Sequence, residues 1–151
     1  MKSITFAVLL ILAGWAGGVT ANSVKTHLMF QGDADEAVAL YESVFPEFKV
    51  QSRENHDSGD MQGKLQQAHV IFAGHELIIF DSPPTHDFTF TPSISLFVEF
   101  DDPDELKQAF EALSKEGQVA MPLADYGFSP LFGWLQDRFG VSWQLNLSNA
   151  E

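Results

Sequence analysis

In the stretch FGWLQDRFGVSWQLNL, residues 132–147, Ser142, Gln144 and Asn146 alternate with Val141, Trp143 and Leu145. A strand sends such alternating sets to opposite faces. The polar set is a row of uncharged donors and acceptors, suited to orienting a small neutral molecule rather than to holding a metal or moving a proton. Five histidines are the other chemically capable groups. His69, in QAHVIFAG, shares a strand face with Gln67. His27 lies in an apolar strand, where packing explains it better than ligation. His75 follows Gly74 in a tight turn and is expected in solvent. His56 belongs to the loop NHDSGD, and His86 to a proline-rich connector.

Other constellations fail on spacing. The acidic stretches Asp33–Glu36 and Asp101–Glu105 lack the regular oxygen-ligand series of a calcium loop and serve as helix starts. No glycine-rich phosphate loop, nucleophile elbow or adenosylmethionine-binding pattern is present.

The elements that must position these groups come in two copies. Asp33, Asp35, Glu36 and Tyr41 recur 69 residues later as Asp102, Asp104, Glu105 and Phe110. Each copy reads as an apolar strand, an acidic turn and a helix whose apolar positions keep helical spacing. Those positions are Ala37, Val38, Leu40, Tyr41 and Val44, then Leu106, Ala109, Phe110 and Leu113. Asp33 and Asp102 are expected as N-caps, and Gly117 as the second helix stop. Strands follow at about 48–54, 65–73 and 76–80, and again at 119–121 and in the hairpin of 132–147. A four-residue turn in that hairpin would set Trp134 opposite Trp143 on the apolar face, and Gly133 opposite Gln144 on the polar one. Two βαβββ halves, about 24–82 and 88–147, are too small to fold apart and must share one core.

The chain has 151 residues, 45% of them hydrophobic and 14 of them Phe, enough for one core. Its formal charge is −13, from 8 Lys and Arg against 21 Asp and Glu. That balance excludes nucleic acid and anionic membrane surfaces as expected partners, since both are held by basic patches. Residues 1–21 have the layout of a secretory signal: Met1-Lys2, an apolar run from Ile4 to Trp15, then small residues ending at Ala21. The expectation is an exported, periplasmic or secreted protein with one domain over 22–151 and no membrane attachment after cleavage. An uncleaved anchor is the alternative. With no Cys, neither a lipoprotein anchor nor a disulfide is available.

The segments HLMFQGDADEAVALYESVFPEFKV (27–50), FTFTPSISLFVEF (88–100), MPLADYGFS (121–129) and FGWLQDRFGVSWQL (132–145) resemble the PhnB-like branch of the vicinal oxygen chelate superfamily. That superfamily also holds glyoxalase I, bleomycin-resistance proteins and extradiol dioxygenases. The resemblance implies an α+β fold in which paired βαβββ modules curl mixed sheet into a cup, with helices outside. It also implies a homodimer. Metal-dependent members take ligands from their first, fourth, fifth and eighth strands. Carried over, these positions fall on Thr26 or His27, Phe80 or Asp81, Ser95 and Gln144. Such a set holds too few strong ligands for a catalytic ion. No cofactor is therefore expected, and the leaning is away from an enzyme. The expected ligand site is a small-molecule cup lined by Gln67, His69, Asp81, Phe90, Ser95, Phe97 and Gln144. The alternative is a divalent-metal lyase, isomerase or dioxygenase using His27, His69 and Asp81.

Overall fold

The computed structural model describes residues 20–148. The expected signal segment thus lies outside the described residues, Thr20 and Ala21 excepted. Among the described residues no helix is long and apolar enough to cross a membrane.

The first module contains β1 (Thr26–Phe30), α1 (Ala34–Val44), β2 (Phe48–Asn55), β3 (Leu65–Phe72) and β4 (His75–Asp81). The second contains β5 (Leu96–Phe100), α2 (Pro103–Ser114), β6 (Gln118–Ala124), β7 (Phe132–Gln136) and β8 (Ser142–Leu147). Each module forms its own four-stranded mixed sheet, in the orders β1-β4-β3-β2 and β5-β8-β7-β6. The first strand of each pairs in parallel with the last, and the other pairs are antiparallel. This is the expected paired βαβββ architecture.

The helix starts repeat at 69 residues but the strands that precede them at 70. Three residues separate β1 from α1, and only two separate β5 from α2. The two helix starts differ accordingly. Asp102 caps α2 as expected: its Oδ1 accepts from the Asp104 and Glu105 amides. Asp33 holds the N-cap position of α1, but its side chain makes no capping bond. In its place Asp81, at the end of β4, accepts from the Gly32 and Ala34 amides with Oδ1 and from Leu65 N with Oδ2. After α2, Glu116 rather than Gly117 takes the positive φ, at 60°.

The two modules share one core. Leu28, Phe30, Val70, Leu77 and Ile79 face α1, while Leu135, Trp143 and Leu145 face α2 with Leu106, Ala109 and Leu113. Trp143 is the joint: its ring lies 5.0 Å from Tyr41, 5.4 Å from Phe45 and 6.3 Å from Phe72, all of the first module. Because the helix-packed faces of both sheets meet in this core, the opposite face of each sheet points away from it. No hydrogen bond or ring contact among the described residues joins those two open faces.

Candidate functional site

The open face of the second sheet is set by the β7–β8 hairpin. Its loop has five residues, Asp137–Val141, where four were expected. Asp137 O accepts from Gly140 N, and Val141 O accepts from Asp137 N. Gly140 makes this possible with φ at 89°, a conformation costly for other residues. One extra loop residue shifts the pairing by one and exchanges the faces of β7. Trp134 therefore lies opposite Gln144, and Leu135 opposite Trp143. The expected pairings of Trp134 with Trp143 and of Gly133 with Gln144 are both corrected. Gly133 sits on the helix side, where an added Cβ would come within 2.5 Å of the Phe110 ring. Its lack of a side chain admits Phe110 and is not a gap in the polar face.

The loop is held by Asp137, 3% exposed. Its carboxylate accepts from Tyr41 Oη (2.6 Å), Trp143 Nε1 (2.9 Å), Phe139 N and Val141 N (both 3.0 Å). Burial pushes the Asp137 carboxyl up from its ordinary range, and these donors pull it part of the way back. The Tyr41 hydroxyl is pushed well up, first by burial and then by the neighbouring charge of Asp137.

On the open face, four polar side chains form a connected chain. Trp134 Nε1 donates to Ser142 Oγ at 2.8 Å, Ser142 Oγ lies 2.7 Å from Ser95 Oγ, and Gln144 Nε2 donates to Ser95 Oγ at 3.2 Å. Two hydroxyls bring two hydrogens, and one of these is shared between the serines. The other hydroxyl hydrogen and Gln144 Oε1 have no partner among the described residues. The face thus offers two donors, that hydroxyl hydrogen and the second hydrogen of Gln144 Nε2, beside the Gln144 Oε1 acceptor. Next to them stands an aromatic wall. Phe97 pairs with Gln144 in register, and Phe132 lies 6.5 Å from Phe97, 6.1 Å from Tyr126 and 5.1 Å from Phe128. Phe97 and Phe128 are 56% and 63% exposed, unusual for isolated phenylalanines.

Of the seven residues expected to line the cup, Ser95, Phe97 and Gln144 are brought together here. Gln67 and His69 lie on the open face of the first sheet, bonded through Gln67 Nε2 and His69 Nε2 at 2.7 Å. Asp81 is 2% exposed and turned inward, its oxygens taken by three backbone amides. Phe90 packs edge-on against Phe30 at 4.9 Å and beside Gly140, a contact across the two modules. Trp134, Phe132 and Phe128 were missed, and Ser142 was placed on the polar face but not among the lining residues. Ser142 was visible in the alternation of β8, whereas Trp134 was hidden by the hairpin register.

The same geometry tests the superfamily's metal. His27 pairs with Ile78 and Phe80 with Met29, so both His27 and Phe80 are on the open face. Packing in the core does not describe His27, which is exposed and stacks on Phe80 with ring centres 4.4 Å apart. Thr26 and Asp81 fall on the other face. The open-face residues at the four ligand positions are thus His27, Phe80, Ser95 and Gln144, among which only His27 is a strong ligand. No three His, Asp or Glu side chains among the described residues cluster to hold an ion. The residues present do not fit the metal.

Residues 22–146 match the family described as 3-demethylubiquinone-9 3-methyltransferase. A putative 3-demethylubiquinone-9 3-methyltransferase, PhnB protein, from Bacillus cereus has a solved structure that is 39% identical. It covers 83% of this chain and 98% of its own, with a TM-score of 0.79. Protein YjdN of Escherichia coli (strain K12) is 26% identical over 140 residues, 82% of this chain and 94% of its own length. The glyoxylase/bleomycin resistance protein/dioxygenase domain from Frankia sp. EAN1pec shares the fold at 14% identity, with a TM-score of 0.62 over 87% of this chain and 100% of that one. With its two βαβββ modules and this match over nearly all described residues, the chain belongs to the PhnB-like, 3-demethylubiquinone-9 3-methyltransferase family of the vicinal oxygen chelate fold.

Proposed function

We propose that this is an exported binding protein for a small, uncharged aromatic molecule that carries a hydroxyl or amide group. The observation that carries the reading is the donors and the acceptor left free at the Ser95–Ser142–Gln144 chain, beside the rings of Phe97, Phe128 and Trp134. An aromatic body gains by covering those rings, and a group that both donates and accepts suits the free donors and acceptor. The acidity of the chain, and Glu99 on the same face opposite Asn146, disfavour an anion.

One open sheet does not enclose a ligand. β1 and β5 are edge strands, and the first sheet also leaves an open face, with Gln67, His69 and the His27–Phe80 stack upon it. A homodimer that sets the first-sheet face of one copy over the second-sheet face of the other completes the cup and covers Phe97 and Phe128. In this arrangement Gln67 and His69 reach the ligand from the partner copy. The reading includes neither a resident metal nor methyl transfer.

Binding of 2-naphthol, followed by quenching of Trp134 fluorescence, tests it. Saturable quenching, weakened about tenfold or more by Gln144→Ala or Ser95→Ala and accompanied by a dimer mass in light scattering, is expected. Equal binding by wild type and both variants, or a monomer at high micromolar concentration, contradicts it.

A further inference from the structure

A cavity lies where the modules meet, along the free edge of β5. It is a groove of about 580 Å³ between the end of α1, the β3–β4 turn, β5 with its following turn, and α2. None of the residues discussed above as ligand-binding lines it. Its volume is within the range of small-molecule sites.

The lining has two parts. The apolar part includes the rings of Phe45, Phe72 and Phe100, with Phe45 4.8 Å from Phe72 and 6.5 Å from Phe100. Around it stand five carboxylates, Glu47, Glu99, Asp101, Asp102 and Glu105, and no Lys or Arg is among the lining residues. Asp102 is engaged in capping α2, and Glu99 accepts from Asn146 Nδ2 at 3.5 Å. Glu47, Asp101 and Glu105 have no side-chain partner among the described residues. Aromatic faces attract cations through their quadrupoles, and carboxylates do so through charge. A cavity with both, and with no basic side chain, selects by sign: it repels an anion and gives a neutral molecule no compensating charge.

We propose that this intermodule groove is a second ligand site, for an organic cation with an apolar body. It differs from the open-face site: the groove wraps the free edge of β5, Glu99 is the one open-face residue of that strand that reaches it, and none of the proposed ligand-binding residues lines it. A ligand here touches α1 and the β3–β4 turn of one module and β5 and α2 of the other. It therefore stabilises their junction.

Tetraphenylphosphonium and tetraphenylborate, a cation and an anion of nearly the same shape, separate this site from plain hydrophobic binding. Isothermal titration of the purified protein should give one tetraphenylphosphonium per chain and at least about tenfold weaker tetraphenylborate binding. Glu47→Gln with Glu105→Gln should weaken the cation about tenfold. Asp57→Asn with Asp60→Asn, the same change of net charge on the loop after β2, should leave it within about twofold. Unfolding midpoints confirm that both double variants are folded. Equal affinity for the two ions, or equal loss in the two double variants, overturns the proposal. Binding of neither ion, together with an Ala112→Phe variant that shifts a dimer to monomer, also overturns it and makes the groove a contact between copies.

Discussion

The two modules follow the same chain path, yet each uses its buried carboxylate differently. In the first, Asp81 gathers three backbone amides from the turn before α1, the first residue of α1 and the start of β3, all within its own module. In the second, Asp137 ties its own hairpin loop to Tyr41 of the first module and to Trp143. The open faces diverge as well. The first carries a Gln67–His69 bond and a His27–Phe80 stack, the second a four-residue polar chain against aromatic rings. A duplicated scaffold thus assigns the joint and the richer polar and aromatic face to its second half. The first half supplies Phe30, Tyr41, Phe45 and Phe72 for that joint to grip.

The deepest cut into this contrast is at the joint. Trp143→Ala should destabilise the fold by roughly 3–5 kcal/mol, as for other large buried aromatics, because it removes ring contacts to Tyr41, Phe45 and Phe72 together. Denaturant midpoints with an unchanged slope would establish the loss. A cost below about 1 kcal/mol would mean that the modules are held together elsewhere.

Much of this division was legible in the sequence. The acidic turns and helical spacing located both helices, and the alternation in β8 assigned Ser142, Gln144 and Asn146 to one face. The β7 register was not legible, because Val141 looks like the first apolar residue of a strand although it is the last residue of a loop closed by Asp137. Asp81 was misleading for a related reason. An acidic residue ending a strand reads as a rim ligand until folding brings three distant amides onto it. Nor does periodicity say which faces of two modules meet. That depends on large rings such as Trp143 finding partners across the chain.

A gentler break of the joint is Asp137→Asn, which keeps the shape but places an amide nitrogen among donors. It should cost about 1–3 kcal/mol at neutral pH, the penalty for unsatisfied buried polar groups. The pH dependence has a definite sign. Burial raises the folded pKa of Asp137 above its unfolded value, so the folded state takes up a proton before the unfolded chain does. This contribution to stability is fully present below the ordinary value near about 4 and is lost as pH rises through the raised value. The wild-type advantage over Asp137→Asn should therefore widen as pH falls from 7 toward about 4, and a narrowing gap in thermal midpoints would refute the assignment.

The smallest effect on stability is expected on the open face. Gln144→Ala should cost less than about 1 kcal/mol, since water can replace an amide on a half-open surface. A loss as large as that of Trp143→Ala would mean that the two faces of β8 have been interchanged.

The central claim is that this vicinal oxygen chelate fold carries a binding surface in place of a metal centre. Elemental analysis tests it most directly, on protein offered Zn, Ni, Mn or Fe(II) and then dialysed against metal-free buffer. With His27 the lone strong ligand among His27, Phe80, Ser95 and Gln144, the metal content should fall well below one equivalent per chain, in wild type and in His27→Ala alike. One equivalent retained by the wild type and lost in His27→Ala would contradict the account and establish a metal site in the cup.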